Sequence, residues 1–297
     1  MLKVKNISKS YGSNLAVDNL SFTVKDGEIF GLLGANGAGK TTTFRIIMGL
    51  LEADNGTVTL DDKKIDYTVT NKIGFVTEER SLLTKMTVKD QIVYYGILKG
   101  MREEVVLERL DEWLKKFKIE DYKNRKIKEL SKGNQQKIQF ISAVINEPKL
   151  LILDEPFTGL DPINVEMFKQ AIYELQKKGC SIIFSSHQME HIEMFCEKLI
   201  ILVKGKVVLE GYLKDIKKEY RKKNIHIIGD IDIEKIKSID GVIKVEKLAN
   251  EYEVKIKDEE VVDSVFKSIS KNKITKFVVE EPTLNEIFIS KVGEKYE

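Results

Sequence analysis

Apolar and polar residues alternate from Leu2 to Ile7 and again from Ala16 to Val24, on either side of a polar stretch, Ser8 to Asn14. Period-two alternation marks half-buried strands, so the chain opens with antiparallel strands that end at the turn Lys25-Asp26-Gly27. The texture then changes. Ile29 to Leu33 (in a strand expected over Glu28 to Leu33), Ile73 to Val76, Leu150 to Leu153 and Cys180 to Phe184 are short continuous apolar runs. Such runs describe strands buried on both faces of a parallel sheet.

Helical periodicity occupies the intervals. It is expected from Lys40 to Leu50, after Ser131, and over Val165, Phe168, Ile172 and Leu175 until Lys177-Lys178-Gly179 stops it. The longest helical stretch, Thr87 to Leu130, carries Val88, Ile92, Tyr95, Leu98, Leu110, Trp113, Leu114 and Phe117 among charged residues. It reads as a helical insertion whose core contains Trp113. A turn at Ala53 to Gly56 precedes a hairpin of Thr57 to Leu60 with Lys63 to Ile65, and another hairpin, Leu199 to Glu210, finishes the main domain. Charged residues from Tyr212 to Asn224 read as helix or linker. Beyond them, strand, helix, two strands, helix and strand give a βαββαβ order compatible with a small ferredoxin-like domain, closed by a helix that Thr283 caps. The expected division is a main domain over 1–212, a linker over 213–224 and an accessory domain over 225–297.

The chemistry centres on Gly34 to Thr41, which spells G-x-x-x-x-G-K-T between a buried strand and an apolar helix. Such a loop wraps phosphates. Asn36, Gly37, Ala38 and Gly39 bring backbone N–H groups to the oxygens, and the helix opening at Lys40, Thr41 and Thr42 presents its first amides. Lys40 reaches the terminal phosphates and the Thr41 hydroxyl ligates magnesium. A second signal is Asp154-Glu155, where adjacent acids leave a buried strand. Carboxylates there need a cation or a proton-transfer role to offset desolvation. Asp154 is assigned to magnesium, and Glu155 to polarising the attacking water.

Other positions admit two readings. Tyr11 is either an aromatic platform for adenine or a half-exposed turn residue; Glu78, delivered by the strand Ile73 to Val76, either orients water or magnesium or is solvated. Ser131 and Gly133 form either a further anion-binding helix terminus or a simple cap. Asp161 is a helix cap or a contact to another site. His187 follows the strand Cys180 to Phe184 as Glu155 follows its own, which assigns it a phosphate-facing role. His191 lies one helical turn later without the spacing of a zinc site.

Bulk properties narrow the picture without redirecting it. The 297 residues are 42% apolar with 4 prolines, enough for a large core and a smaller attachment. Charged residues make up 32% but nearly cancel at +2, so net charge offers little attraction to nucleic acid or anionic lipid. Cys180 and Cys196 sit in apolar segments without metal-like spacing and read as buried thiols. No apolar run approaches roughly 18 residues, so the chain is not expected to cross a membrane itself.

Taken in order, Tyr11, GANGAGKT, Glu78, LSKGNQQ, LLILDEP, GLD and His187 resemble an ATP-binding subunit of an ABC transporter over Met1 to Tyr212. The resemblance implies an α/β fold of the P-loop nucleotide hydrolase type with an ABC-type helical subdomain, over about 87–130, and an antiparallel β subdomain, plus the small C-terminal α+β domain. It implies ATP and Mg2+ as ligands, and a head-to-tail dimer in which Ser131 and Gly133 touch the γ-phosphate held by the neighbouring subunit. By the same resemblance Tyr11 stacks on adenine, Asp161 communicates across the dimer and His187 holds the γ-phosphate and attacking water. The expected partners are a second ATP-binding subunit and a polytopic permease, which keeps the chain peripheral on the cytoplasmic side of the cell membrane. Two departures stand out: LSKGN replaces LSGGQ, and Glu78 stands where the family has glutamine. GFVTEER, LSKGNQQK and EPTLNEIF are similar to the sodium-export type, within a branch that also exports drugs, peptides or lipids. Soluble ABC ATPases of translation or DNA repair are the alternative, although a single phosphate loop and a modest insertion suit them poorly. A non-catalytic ATP-binding module is a third reading, which Glu155 and His187 oppose.

Overall fold

The computed structural model describes residues 1–220, 222–270 and 272–296. The chain divides into two compact units, Met1–Glu210 and Gly211–Glu297. In the first, β1 (Leu2–Tyr11) and β2 (Asn14–Val24) pair antiparallel, with Tyr11 opposite Asn14. β3 (Ile29–Gly34) leads into α1 (Lys40–Ile47), followed by β4 (Asn55–Leu60), β5 (Lys63–Lys64), α2 (Tyr67–Thr70) and β6 (Ile73–Val76). The helical stretch holds α3 (Val88–Leu98), α4 (Glu103–Lys116) and two short 3-10 turns. Then come α5 (Lys132–Val144), β7 (Leu150–Asp154), α6 (Pro162–Lys177), β8 (Ser181–Ser185), α7 (Met189–Phe195), β9 (Lys198–Val203) and β10 (Lys206–Tyr212).

Two sheets result, in the orders β2-β1-β4-β5 and β10-β9-β3-β8-β7-β6. The first is antiparallel, as the alternation at its strands requires. In the second, β9, β3, β8, β7 and β6 pair parallel, and β3, β7 and β8 are buried at every position. Alternating residues of the antiparallel sheet, among them Leu2, Val4, Val17, Leu20 and Phe22, share one core with Phe30, Leu32, Phe44, Ile152 and Ile200. The helical stretch is tied down by aromatic packing. Phe140 of α5 meets Trp113, Phe117 and Phe168 at ring-centroid distances of 5.7, 5.8 and 5.2 Å. Trp113 is buried, in keeping with a core role.

Two turns expected from polarity are strand instead. β1 continues through Ser8 to Tyr11 across register shifts, because Ser8 Oγ accepts from Asn19 N at 2.9 Å and Lys9 pairs with Asp54 at 2.6 Å. Asn55 and Gly56 belong to β4, drawn in by the pairing of Ser8 with Asn55. Local side-chain hydrogen bonds thus replace the alternation that marks a strand.

The second unit contains α8 (Leu213–Glu219), β11 (Lys223–Gly229), α9 (Ile233–Lys237), β12 (Val242–Lys247), β13 (Tyr252–Ile256), α10 (Val261–Ile269), β14 (Ile274–Glu280) and α11 (Leu284–Tyr296). The span 213–224, read as helix or linker, holds the helix α8, and its last residues, Lys223 and Asn224, begin β11. The sheet order is β12-β13-β11-β14, every pair antiparallel, which is the interleaving of a ferredoxin-like unit. Ile225, Ile227, Val254 and Ile256 face Ile236, Val265 and Ile269 of the helices in a separate core. Thr283 caps α11 as expected, its hydroxyl accepting from Glu286 N at 3.2 Å while Glu286 accepts from Thr283 N at 3.0 Å.

Replacing Phe140 by Ala removes the hub of the aromatic cluster and should cost about 3–5 kcal/mol. Denaturant unfolding followed through Trp113 fluorescence checks this; an unchanged midpoint would show that the cluster does not hold the helical stretch.

Candidate functional site

The parallel register decides where functional side chains meet. Val76 lies beside Leu153, Asp154 beside Ser185, and Gly31 beside Phe184, so β6, β7, β8 and β3 reach one edge of the sheet together. The residues that follow these strands converge at that carboxyl edge, the place where open α/β sheets bind ligands.

There the phosphate-loop segment leaves β3 and turns into α1. Gly39, at φ 106, caps the helix, and a Cβ on it would stand 2.4 Å from the Ala16 carbonyl oxygen. Gly37 adopts φ 79, and nothing lies within 4 Å of where its Cβ would be, so space beside the loop is open. Lys40 Nζ donates to the carbonyl oxygens of Gly34 at 2.5 Å and Ala35 at 3.3 Å. It is thereby folded back over the loop, where an anion would compete for it.

A cleft of about 760 Å3 gathers Tyr11, Asn36, Gly37, Ala38, Gly39, Lys40, Thr41, Thr42, Glu78, Asp154, Glu155 and His187. Tyr11 closes β1 at the rim, 47% exposed, with Asn14 and Ala16 beside it. Asp154 and Glu155 are each 7% exposed at its base. Ser185 Oγ donates to Asp154 Oδ1 at 2.5 Å, and Ser186 Oγ to Glu155 Oε2 at 3.3 Å. His187 Nδ1 lies 2.8 Å from the same Glu155 oxygen. With Glu155 ionised, Nδ1 carries the proton of that contact and Nε2 is the free ring nitrogen. Glu155 itself is left-handed, at φ 51, its N–H donating to Ser185 O at 3.1 Å. A side chain in that region costs on the order of 1–3 kcal/mol, the kind of strain that persists where neighbours enforce it.

Burial pushes the Asp154 carboxyl up from the usual Asp range; Ser185 and Lys40 oppose the shift, and Glu78 adds to it. Burial likewise pushes the Glu155 carboxyl up, against the hydrogen bond to His187. The protein thus holds anions under a desolvation penalty, with Lys40 as the lysine in the cleft. Such a base fits a divalent cation. Thr41 hydroxyl, Glu78 and Asp154 oxygens are available to one, although no group of three His, Cys, Asp or Glu among the described residues could hold a metal by itself. Magnesium is bound this way, through one or two carboxylates with substrate phosphates and water completing the shell.

Ser131 and Gly133 do not line this cleft. Ser131 caps α5, accepting from Asn134 N at 3.3 Å. A Cβ on Gly133 would lie 3.5 Å from Asn164 Nδ2 and 3.7 Å from Leu160 Cδ2, so the start of α5 adjoins the turn carrying Asp161. Asp161 takes the cap reading: its carboxylate accepts from Asn164 N at 2.9 Å and Asn164 Nδ2 at 2.6 Å. Lys132 is exposed at the first turn. His191 packs edge-on against Phe157 with ring centroids 5.0 Å apart.

Several contributors carried little advance signal. Ser185 and Ser186 precede His187 in the sequence, but their grip on the two carboxylates depends on strand register. Asn14 and Ala16 line the cleft only because β2 passes the phosphate loop. Gln139 on α5 is buried and holds Thr77, the residue before Glu78.

The family model described as ABC transporter matches residues 17–158, and one described as ATP-binding protein DrrA1-3-like, C-terminal domain, matches residues 211–292. The chain is 49% identical to the uncharacterized ABC transporter ATP-binding protein YhaQ of Bacillus subtilis (strain 168), with 100% of each chain covered. It is 36% identical to the ABC transporter ATP-binding protein NatA of the same organism, covering 72% of this chain and 88% of NatA. Other relatives are named for linearmycin resistance, Nod factor export and lipopolysaccharide export. Among solved structures, the dimeric post-hydrolysis state of the ATP-binding cassette MJ0796 bound to ADP and Pi is similar at TM-score 0.66 and 30% identity. It covers 72% of this chain and 99% of that one.

The raised Asp154 carboxyl gives a signed expectation. An acid whose folded value is raised stabilises the fold below its unfolded value and loses that contribution as pH rises through the folded value. Asp154→Asn should therefore melt higher than the parent at pH 7 without nucleotide, with the advantage narrowing as pH is lowered towards the usual Asp range. Thermal melts across that range check it, and an advantage independent of pH would reject desolvation as its source.

Proposed function

The chain belongs to the ATP-binding subunits of ABC transporters, and from that premise we propose that it pairs with a second such subunit to drive a separate polytopic permease. It is an ATPase of the P-loop type. The observation that carries the fuller reading is a division of its parts. One cleft holds Lys40, Glu78, Asp154, Glu155 and His187, while Ser131 and Gly133 sit on another surface of the same unit. A head-to-tail pair gives that second surface a use: Ser131 and the start of α5 meet the phosphate bound in the partner's cleft.

In this reading Tyr11 stacks on adenine, the loop Asn36–Thr42 wraps the phosphates, and Lys40 exchanges the Gly34 and Ala35 carbonyls for phosphate oxygens. Thr41, Asp154 and Glu78 hold Mg2+, which when bound neutralises developing charge on the phosphates. Glu155 orients and polarises the attacking water, and His187, anchored through Nδ1, directs Nε2 at the γ-phosphate. Raised by burial and fixed by Ser186 and His187, Glu155 is a stronger base than a free carboxylate.

No helix among the described residues is long and apolar enough to cross a membrane, and in this reading coupling to transport runs through another chain. The permease holds this subunit at the cytoplasmic face of the cell membrane. Export is the direction we propose, in line with relatives named for Nod factor and lipopolysaccharide export. The sodium-type resemblance of GFVTEER and LSKGNQQK marks one branch among several to which the relatives belong. The cargo, whether sodium, drug, peptide or lipid, is set by the permease.

Glu155→Gln should retain ATP binding, lower turnover by about 100-fold or more, and accumulate an ATP-dependent dimer in light scattering. Parental turnover would remove Glu155 from the reaction. Capture of the chain from gently solubilised native membranes should recover a polytopic protein; ribosomal or DNA-repair partners in its place would move the ATPase to a soluble role.

A further inference from the structure

The loop after β6 enters the cleft at Glu78, and a side chain of α5 holds it there. Gln139, on the buried face of α5 and 4% exposed, donates from Nε2 to the Thr77 carbonyl oxygen at 3.1 Å and to Thr77 Oγ1 at 2.8 Å. The same nitrogen lies 3.5 Å from the Glu79 carbonyl oxygen. Thr77 Oγ1 in turn donates to the Glu79 carbonyl and lies 3.2 Å from Ser81 Oγ. Residues 77–81 are thus curled round the Thr77 hydroxyl. Glu78 stands exposed on the outside of the curl, in the cleft with Asp154 and Lys40.

The buried side chains of this stretch of α5 are apolar, Ile138, Phe140 and Ile141, and polar, Gln136, Lys137 and Gln139. Gln136 and Lys137 hold the Pro156 and Phe117 carbonyls, and Gln139 reaches the loop at Glu78. Gln139 Oε1 and, in the clamped loop, Arg80 Nε are buried without a hydrogen-bond partner among the described residues. A buried unsatisfied polar atom is costly, and in Gln139 the hydrogen bonds from Nε2 offset that cost. That end fixes Thr77.

We propose that Gln139 is a positioning residue for the ATPase reaction: through Thr77 it sets where Glu78 stands relative to Asp154, and so how tightly a divalent cation is held with the nucleotide. The proposal rests on the reading of Glu78 as a cation-facing residue. It extends that reading to α5, because the helix that presents Ser131 and Gly133 carries the clamp eight residues further on, about 12 Å along its axis. A shift of α5 on pairing would be transmitted to Glu78 through two hydrogen bonds.

The test uses the full chain and a non-hydrolysable ATP analogue, with binding measured by calorimetry over a series of Mg2+ concentrations. Gln139→Met preserves volume and removes the clamp, and Thr77→Val removes the hydroxyl from its other side. Each should raise the half-saturating Mg2+ concentration roughly tenfold, the scale seen when an outer partner of a metal ligand is lost. Affinity without Mg2+ should be unchanged. Glu78→Ala should raise the requirement too, and Gln139→Met combined with Glu78→Ala should go no further than Glu78→Ala alone. Parental Mg2+ dependence in the clamp variants, with a shift in Glu78→Ala, would overturn the positioning role and leave the cation reading standing. Additive effects in the double variant would overturn it as well. Parental dependence in Glu78→Ala would overturn both. Should Gln139→Met fail to fold, Thr77→Val carries the same comparison.

Discussion

Strand register is the constraint on which the site depends. β7 lies between β6 and β8 with Asp154 directly beside Ser185, and both strands are buried at every position. A slip of one residue would turn each side chain to the opposite face. It would also part Asp154 from the hydroxyl that satisfies it. Because both faces are apolar, the register is enforced by packing against the helices and by the ends of the strands. The polar residues begin at Asp154 on one strand and Ser185 on its neighbour, so burial and hydrogen bonding select the same pairing.

From that pairing follows the electrostatic character of the cleft. Two adjacent carboxylates are raised by burial, and the serines and histidine that follow β8 relieve only part of the penalty. The protein holds them in place at the expense of its own stability, with Glu155 in a left-handed backbone conformation besides. Such a site gains when a cation and a phosphate chain enter. Ligand binding and relief of the buried charge are then one event, so occupancy of the cleft stabilises the fold.

Much of this was readable from residue order, for identifiable reasons. Buried parallel strands write themselves as unbroken apolar runs, and the phosphate loop has few alternatives at Gly37, Gly39 and Lys40. The acids at 154 and 155 stood out because carboxylates seldom follow four aliphatic residues without purpose. Where sequence reading fell short, tertiary contacts decided. β1 extends to Tyr11 because Asp54 and Asn19 engage its polar end. The helix and strand between 213 and 224 lie in a run of charge that masks their period. Gln139 is invisible for a different reason: Gln135, Gln136, Lys137 and Ser142 surround it on α5, so nothing in the pattern singles it out. Its meaning appears only when Thr77, 62 residues away, is brought against it.

The second unit follows the opposite economy. One face of its sheet packs apolar residues against α9 and α10, and on the other face several charges pair with one another. His226 Nδ1 lies 3.0 Å from Glu251, which Lys276 also pairs at 2.8 Å; Lys255 pairs with Glu286, which also accepts from Asn224 at 2.8 Å. Partly exposed pairs of this kind contribute little net stability each, roughly 0–1 kcal/mol. Linked at one sheet face, they tie β11, β13, β14 and α11 together, although β12 and β13 set Lys244 opposite Lys255 and Glu246 opposite Glu253. The first unit buries Asp154 and Glu155 under a desolvation penalty, whereas these charges of the second unit are partly exposed and paired.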